Sequence, residues 1–215
     1  MLARPGAISR AHGGVLFLDE APEFSVHVLQ TLRQPLESGQ IVLHRAHGAA
    51  RYPARFQLVL AANPCPCGGY HGPSAACSCT ALQRRRYFGR LSGPLLDRVD
   101  LQVDVRPVRR GVDAPGESTE VVAARVREAR GRARARLEGT DAVSNSQVPG
   151  SWLRERTAPT ALRPAHTALD RGQLTARGLD RVLRVAWTIA DLEGASAPDD
   201  DAVLRAMTLR TRAAA

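Results

Sequence analysis

The 215-residue sequence contains no lysine, and all 30 of its basic residues are arginine. A phosphate-binding loop of the form G-x-x-x-x-G-K-[ST] needs its lysine to reach a nucleotide's terminal phosphates, so these residues hold no such loop. Aromatic residues are scarce at 4%, although a hydrophobic content of 44% suffices for one large or two small domains. Long apolar runs are missing as well. The longest near the N-terminus is Val15 to Leu18, far below the roughly 20 residues of a bilayer span and shorter than a signal h-region. The expectation is a cytoplasmic protein without membrane contact. Only four cysteines are present, and in that compartment they read as metal ligands or free thiols before structural disulfides. No internal repeat is visible.

Negative charge is in short supply too. The formal charge of +9 and an isoelectric point near 10.7 suit a polyanionic partner such as nucleic acid, because clustered arginines displace counterions from phosphates. Exclusive use of arginine beside many alanines also fits a GC-rich coding sequence. The alternating arginines of "RGRARAR" scatter around a helix rather than forming one stripe, which predicts a solvated face.

Against these absences stands "GGVLFLDE", Gly13 to Glu20. Four apolar residues run directly into two carboxylates, Asp19 and Glu20, at the carboxyl end of a predicted strand. Ligands collect at such ends in parallel sheets, and unbroken apolar strands are those covered on both faces. One carboxylate can hold Mg²⁺ while its neighbour polarises a water; a plain strand and turn is the alternative. Helical spacing of Phe24, Val28, Leu29, Leu32 and Leu36 predicts a helix from Phe24 to Ser38 stopped by Gly39. "QIVLHRA" and "ARYPARF" predict a hairpin around His47-Gly48, and "FQLVLAAN" a second buried strand ending at Asn63. A Cys-rich loop covers 63–80, a polar helix about Leu82 to Leu91, and "VDLQVDVRPV" predicts a third strand reaching Val108. "RRGVDAPGES" has linker composition. The domains expected are an α/β part, 1–112, and a helical part, 113–215. The second holds one helix with Val122, Val126, Ala129, Ala133 and Leu137 on its face. A polar stretch from Gly139 to Ser151 comes next, then helices near Thr160–Gln173, Ala176–Leu192 and Asp199–Arg210.

Three more residues carry candidate chemistry. Asn63 ends a strand before a proline that holds it extended, and its amide can orient water near a γ-phosphate. Arg98, in "RLSGPLLDRVD", suits stabilisation of phosphoryl-transfer charge, where arginines often act from a neighbouring subunit; an ion pair with Asp97 or Asp100 is the alternative. If Thr175 caps the helix that follows, Arg177 sits in its first turn, where the macrodipole disfavours a cation unless a phosphate binds there.

The order strand-Asp-Glu, strand-Asn, "SGPLLDR" and a helical domain with an early-turn arginine resembles an AAA+ ATPase. "AHGGVLFLDEAPEF", "LRQPLESGQI", "YPARFQLVLAANPCPCG", "RLSGPLLDRVDL" and "LRVAWTIADLEG" resemble more narrowly the ComM/YifB-type magnesium-chelatase-like ATPases, over nearly the whole chain. The resemblance implies ATP and Mg²⁺ as cofactors. It makes Asp19 and Glu20 the Walker B pair, Asn63 sensor 1, Arg98 the arginine finger and Arg177 sensor 2. It further implies a hexameric homo-oligomeric ring that couples ATP hydrolysis to DNA remodelling, as in branch migration during natural transformation. The fold implied is a partial AAA+ parallel-sheet core followed by a helical lid domain. The family's phosphate loop lies upstream of the Walker B strand and is not among these residues. The sequence therefore matches the C-terminal portion of such a protein, with an incomplete sheet that leaves an apolar surface. A non-hydrolysing or degenerate ring subunit and a true magnesium-chelatase ATPase subunit are the alternatives. Ala7 stands where the family commonly has an acid, and Trp187 where it has arginine.

Two clusters remain. Cys65, Cys67, Cys77 and Cys79 form two C-x-C pairs that can converge as a structural Zn²⁺ site, with free thiols or disulfides as alternatives and His71 as a spare ligand. Any metal there would brace the loop after sensor 1. His44, Arg45, His47, Arg51 and Arg55 surround the hairpin, and such hairpins line the central channel of the resembled motors. Arg45, Arg51 and Arg55 are the DNA-contact candidates.

Overall fold

The computed structural model describes residues 4–45, 48–70, 77–105 and 116–210, with the side chain of Arg45 also outside that description. Two compact units are present, Met1–Val99 and Asp100–Ala215. The boundary expected near residue 112 lies outside the described residues, as do His47 and His71. The fold is mixed α/β, with a small parallel sheet and many helices.

The first unit runs α1 (Ala7–Arg10), β1 (Val15–Leu18), a 3-10 turn (Ala21–Glu23), α2 (Val26–Thr31), α3 (Arg33–Ser38), β2 (Gln40–Arg45), β3 (Gly48–Pro53), β4 (Gln57–Leu60), α4 (Ala81–Gly89) and α5 (Gly93–Leu96). β1 and β4 pair in parallel, Val15 opposite Gln57 and Leu18 opposite Leu60. β2 and β3 form the antiparallel hairpin, Gln40 opposite Pro53 and Arg45 opposite Gly48. Leu16, Leu18, Leu58 and Leu60 pack against Leu29, Leu32, Leu91 and Leu95. On the other face Val15 and Phe17 are 61% and 56% exposed, and Val59 is also open. Unbroken apolar runs predict strands covered on both faces, but among the described residues only one face is covered.

Two further expectations change. No strand forms over 101–105, and 106–108 lie outside the described residues. A strand needs a neighbour for its N–H and C=O groups; the Gln102 N–H instead donates to the Leu209 carbonyl at 2.7 Å, and Leu101, Val103 and Val105 stay exposed. The helix expected from Phe24 to Ser38 is two helices that meet at Leu32. Pro35 has no N–H for the Thr31 carbonyl and its ring would crowd that group. Ser25 caps α2 by accepting from the Val28 N–H at 3.3 Å, and Gly39 ends α3 in the left-handed region at φ 67°.

The second unit contains α6 (Thr119–Arg136), a 3-10 turn (Asn145–Gln147), α7 (Gly150–Arg156), α8 (Pro159–Asp170), α9 (Ala176–Glu193) and α10 (Asp200–Arg210). Its core joins Leu162 and Ala165 of α8 to Leu179, Val182, Leu183 and Ala186 of α9, with Val203 and Ala206 of α10. On α6, Ala129 and Ala133 are buried whereas Val122 and Val126 remain exposed, so the expected apolar face finds a neighbour only in its C-terminal half. Two arginines of "RGRARAR" depart from a solvated role. Arg132 donates to the Asp191 carbonyl at 2.7 Å, and Arg136 pairs with the buried Asp191 carboxylate. α7 occupies part of the stretch expected to be irregular; it is only two turns long, and Leu153 anchors it in the core. Among the described residues no helix is long and apolar enough to cross a membrane.

Candidate functional site

Parallel pairing of β1 with β4 brings their carboxyl ends together. The Ala61 N–H donates to the Leu18 carbonyl at 3.0 Å and the Ala21 N–H to the Ala61 carbonyl at 2.8 Å. Asp19 and Glu20 therefore emerge beside Asn63, whose Nδ2 lies 3.5 Å from Glu20 Oε1. All three residues are exposed. Glu20 adopts φ 48°, the one positive value outside glycine among the described residues. A residue held there costs on the order of 1–3 kcal/mol and persists only where its surroundings enforce it. The enforcement is visible, because the Asp19 Oδ1 accepts from the Glu20 N–H at 2.9 Å while the next residue is locked to β4. The result is two carboxylates and an amide converging on solvent, a donor set suited to a hydrated hard cation and one oriented water.

Tyr87 of α4 was not anticipated as part of this region. Its ring is buried, and burial first, then the Glu23 carboxylate, push its hydroxyl above the ordinary phenol range, while a hydrogen bond with the Asn63 backbone opposes the rise. The adjacent aromatics Tyr87 and Phe88, closing a run of three arginines, were the available signal.

Of the other two candidate residues, Arg98 lies in the first unit and Arg177 in the second. The Arg98 side chain is only 8% exposed and donates to the Glu37 carboxylate and the Pro94 carbonyl. It thus pairs across the unit with Glu37 of α3, while Asp100 accepts from Arg181 at 2.6 Å. Arg177 belongs to the second unit. Thr175 caps α9 there, accepting from the Gly178 N–H at 3.0 Å, so Arg177 is an exposed first-turn residue.

The four cysteines do converge. Their sulfur atoms all lie within 4.8 Å of one another, with Cys65 to Cys67 at 3.3 Å, Cys65 to Cys77 at 3.6 Å and Cys67 to Cys77 at 3.7 Å. A tetrahedron with Zn–S bonds of about 2.3 Å has edges near 3.8 Å, whereas a disulfide would need about 2.05 Å. The four are free thiols, close enough to hold one metal ion. The Gly69 N–H and then the Cys65 thiol hold Cys67 down at about 6, which favours the thiolate that binds metals. Cys79 is pushed up to about 11: a hydrogen bond with the Cys67 backbone opposes the rise, and its thiol contact with Cys67 and burial drive it.

On the hairpin, Arg51 and Arg55 are exposed and line an open concavity of about 460 Å³ with Ser38, Gly39, Gln40 and Tyr52. Arg55 lies across Gly39, where an added Cβ would meet its Cγ at 2.9 Å. Arg45 contributes its backbone to β2.

Residues 1–112 match the family model described as magnesium chelatase, subunit ChlI, and residues 116–210 match that of its C-terminal region. The chain belongs to the magnesium chelatase ChlI family. Within that family it is 53% identical over 213 residues to an uncharacterized protein of Mycobacterium tuberculosis, covering 97% of this chain and 42% of the relative. It is 44% identical over 193 residues to YifB of Escherichia coli (88% and 37%). It is 42% identical over 200 residues to the competence protein ComM of Haemophilus influenzae (90% and 38%). The chain thus spans about two fifths of the length of these ChlI-family relatives.

Proposed function

We propose that this chain contributes the metal- and water-handling half of an AAA+ ATPase site, followed by a helical lid domain, in a ring that remodels DNA. The convergence of Asp19, Glu20 and Asn63 at the carboxyl ends of two parallel strands carries the reading. Mg²⁺, when bound with ATP, would neutralise charge developing on the terminal phosphates. Asp19 is the residue to hold it. Glu20 accepts the proton of the attacking water, and Asn63 orients that water through an amide already facing the Glu20 carboxylate. Arg98 is the finger for a neighbouring subunit's phosphate, which requires it to leave Glu37. Arg177 serves as the second sensor. The four cysteines hold a structural Zn²⁺. With no lysine in these residues, the phosphate loop is not among them.

Joined at its N-terminus to the lysine-bearing phosphate-loop segment of a family relative, the chain is expected to support ATP turnover. Glu20→Gln should cut kcat by at least about 100-fold, the scale of a lost general base, with nucleotide affinity unchanged. An unaltered kcat would overturn the assignment. Nucleotide binding with no turnover by the unsubstituted chain would instead make it a non-hydrolysing ring member.

DNA as partner rests on the basic hairpin and on the competence protein among the relatives. Arg51→Ala should lower the slope of log affinity against log salt for a DNA duplex by about 0.9, one phosphate contact. The second reading, a magnesium-chelatase ATPase subunit, rests on the family description and predicts no change in that slope.

A further inference from the structure

Between Glu37 and Asp97 the sequence has no Asp or Glu across 59 residues, yet it has seven arginines. Three belong to the hairpin. Three more are consecutive, Arg84, Arg85 and Arg86, on α4, which starts directly after the cysteine cluster. Thr80 caps this helix by accepting from the Gln83 N–H at 3.2 Å, while the Gln83 side chain accepts from the Thr80 N–H at 2.7 Å.

The first arginine of the run is a strut. Arg84 donates to the Cys79 carbonyl at 2.7 Å, and its guanidinium lies 4.3 Å from the centre of the Tyr70 ring. It thereby fixes the ends of the cysteine loop to α4 and holds Tyr70, which is 40% exposed. Arg85 and Arg86 are both exposed. With Tyr87 turned inward, the helical period places Arg85 and Arg86 on the outward arc with Ala81, Leu82 and Gly89. That arc offers two cations, a small-residue floor and, beside Arg84, an aromatic ring held in place.

We propose that α4 and Tyr70 form a binding surface for single-stranded nucleic acid, separate from the hairpin. Arg85 and Arg86 contact successive phosphates and Tyr70 stacks on a base. Charge complementarity selects the partner: the helix has no carboxylate of its own in a 59-residue segment with none, and Glu23, the acid packed beside it, is paired with Arg90 at 3.2 Å, so the exposed arc is left cationic toward a polyanion. A held aromatic next to cations is how sequence-tolerant single-strand sites are built. An anionic membrane is less well matched, because Leu82 is the arc's only large apolar side chain. The surface deepens the DNA reading above by naming the strand state and the residues.

The test is fluorescence anisotropy of a labelled 20-nucleotide single strand with the full chain across a salt series. Arg85→Ala with Arg86→Ala should lower the slope of log affinity against log salt by about 1.4, two single-strand contacts. Arg85→Lys with Arg86→Lys should keep it. Tyr70→Ala should weaken binding by about 5- to 150-fold with the slope retained, as expected for a lost stacking contact. A paired-alanine slope equal to that of the unsubstituted chain overturns this surface. If Arg51→Ala still lowers the slope in that case, the DNA reading stands without it; if neither does, both fall. Binding to phosphatidylserine vesicles but not to the oligonucleotide also overturns it.

Discussion

Asp191→Ala is expected to lower the unfolding free energy by about 3–5 kcal/mol, the cost of stranding one member of a buried ion pair. Asp191 is 2% exposed on α9. Its carboxylate accepts from both terminal nitrogens of Arg136, one of them at 2.8 Å, and from Asn145 Nδ2 at 2.8 Å. Arg136 also lies over the Trp187 ring at 4.5 Å, and Trp187 donates to Thr157 Oγ1 at 3.1 Å. Three elements, α6, the 3-10 turn and α9, therefore meet at one acid. Removing it leaves a largely buried guanidinium whose Nε already has no partner, and an Asn145 amide that keeps only the Thr188 hydroxyl, at 3.1 Å, as acceptor. Urea unfolding followed by circular dichroism measures the effect. Arg136→Met should cost a similar amount, and Asp191→Leu combined with Arg136→Met should recover most of it, because no unpaired charge then remains. A loss under about 1 kcal/mol for Asp191→Ala would mean that water reaches Arg136 and the pair is not the keystone of the second unit.

That keystone was illegible in the sequence. Arg136 sits among alternating arginines, and periodicity assigns such a run to solvent. Only the approach of α9, 55 residues later, turns Arg136 inward and brings Arg132 onto the Asp191 carbonyl. α7 escaped for a different reason: two turns are too short to show a period, and the close approach of Asp180, against which a Cβ at Gly150 would clash, is a tertiary constraint. Local chemistry was more legible. The apolar run ending in Asp19-Glu20, the Thr175 cap and the Gly39 stop each depend on neighbours within a few residues, and each appears where the pattern puts it. Pairing across elements was not. The ion pair offered as the alternative for Arg98 named its nearest acids, yet Glu37 on α3 takes it, because Leu36 of α3 shares an apolar cluster with Leu95 and Leu96 of α5 and sequence distance does not limit an ion pair. The exposed faces of Val15 and Phe17 show the same limit: an apolar strand states what it would bury, while what covers it depends on the rest of the fold.

The largest expected effect is loss of the metal proposed at the cysteines. Purified without chelator, the chain should carry about one zinc per molecule by elemental analysis. Stripping it should lower the first thermal transition by at least about 10 °C, since a structural zinc site contributes free energy that the thiols alone cannot replace. Position in the fold makes the consequence specific. Cys65 is fully buried and lies two residues after Asn63, and Cys79 precedes the cap of α4, whose Tyr87 hydrogen-bonds the Asn63 backbone. Without the metal, both ends of the loop and the start of α4 lose their common anchor, and Asn63 loses its backing against Glu20. Hydrogen exchange should therefore rise along Ala81–Gly89 and around Asn63 together, while α9 stays protected. Cys65→Ser should reproduce the pattern, since a hydroxyl in the buried position is a poor zinc ligand. A chain with four titratable thiols, no bound metal and an unchanged melting profile would show that the close sulfur spacing is packing alone.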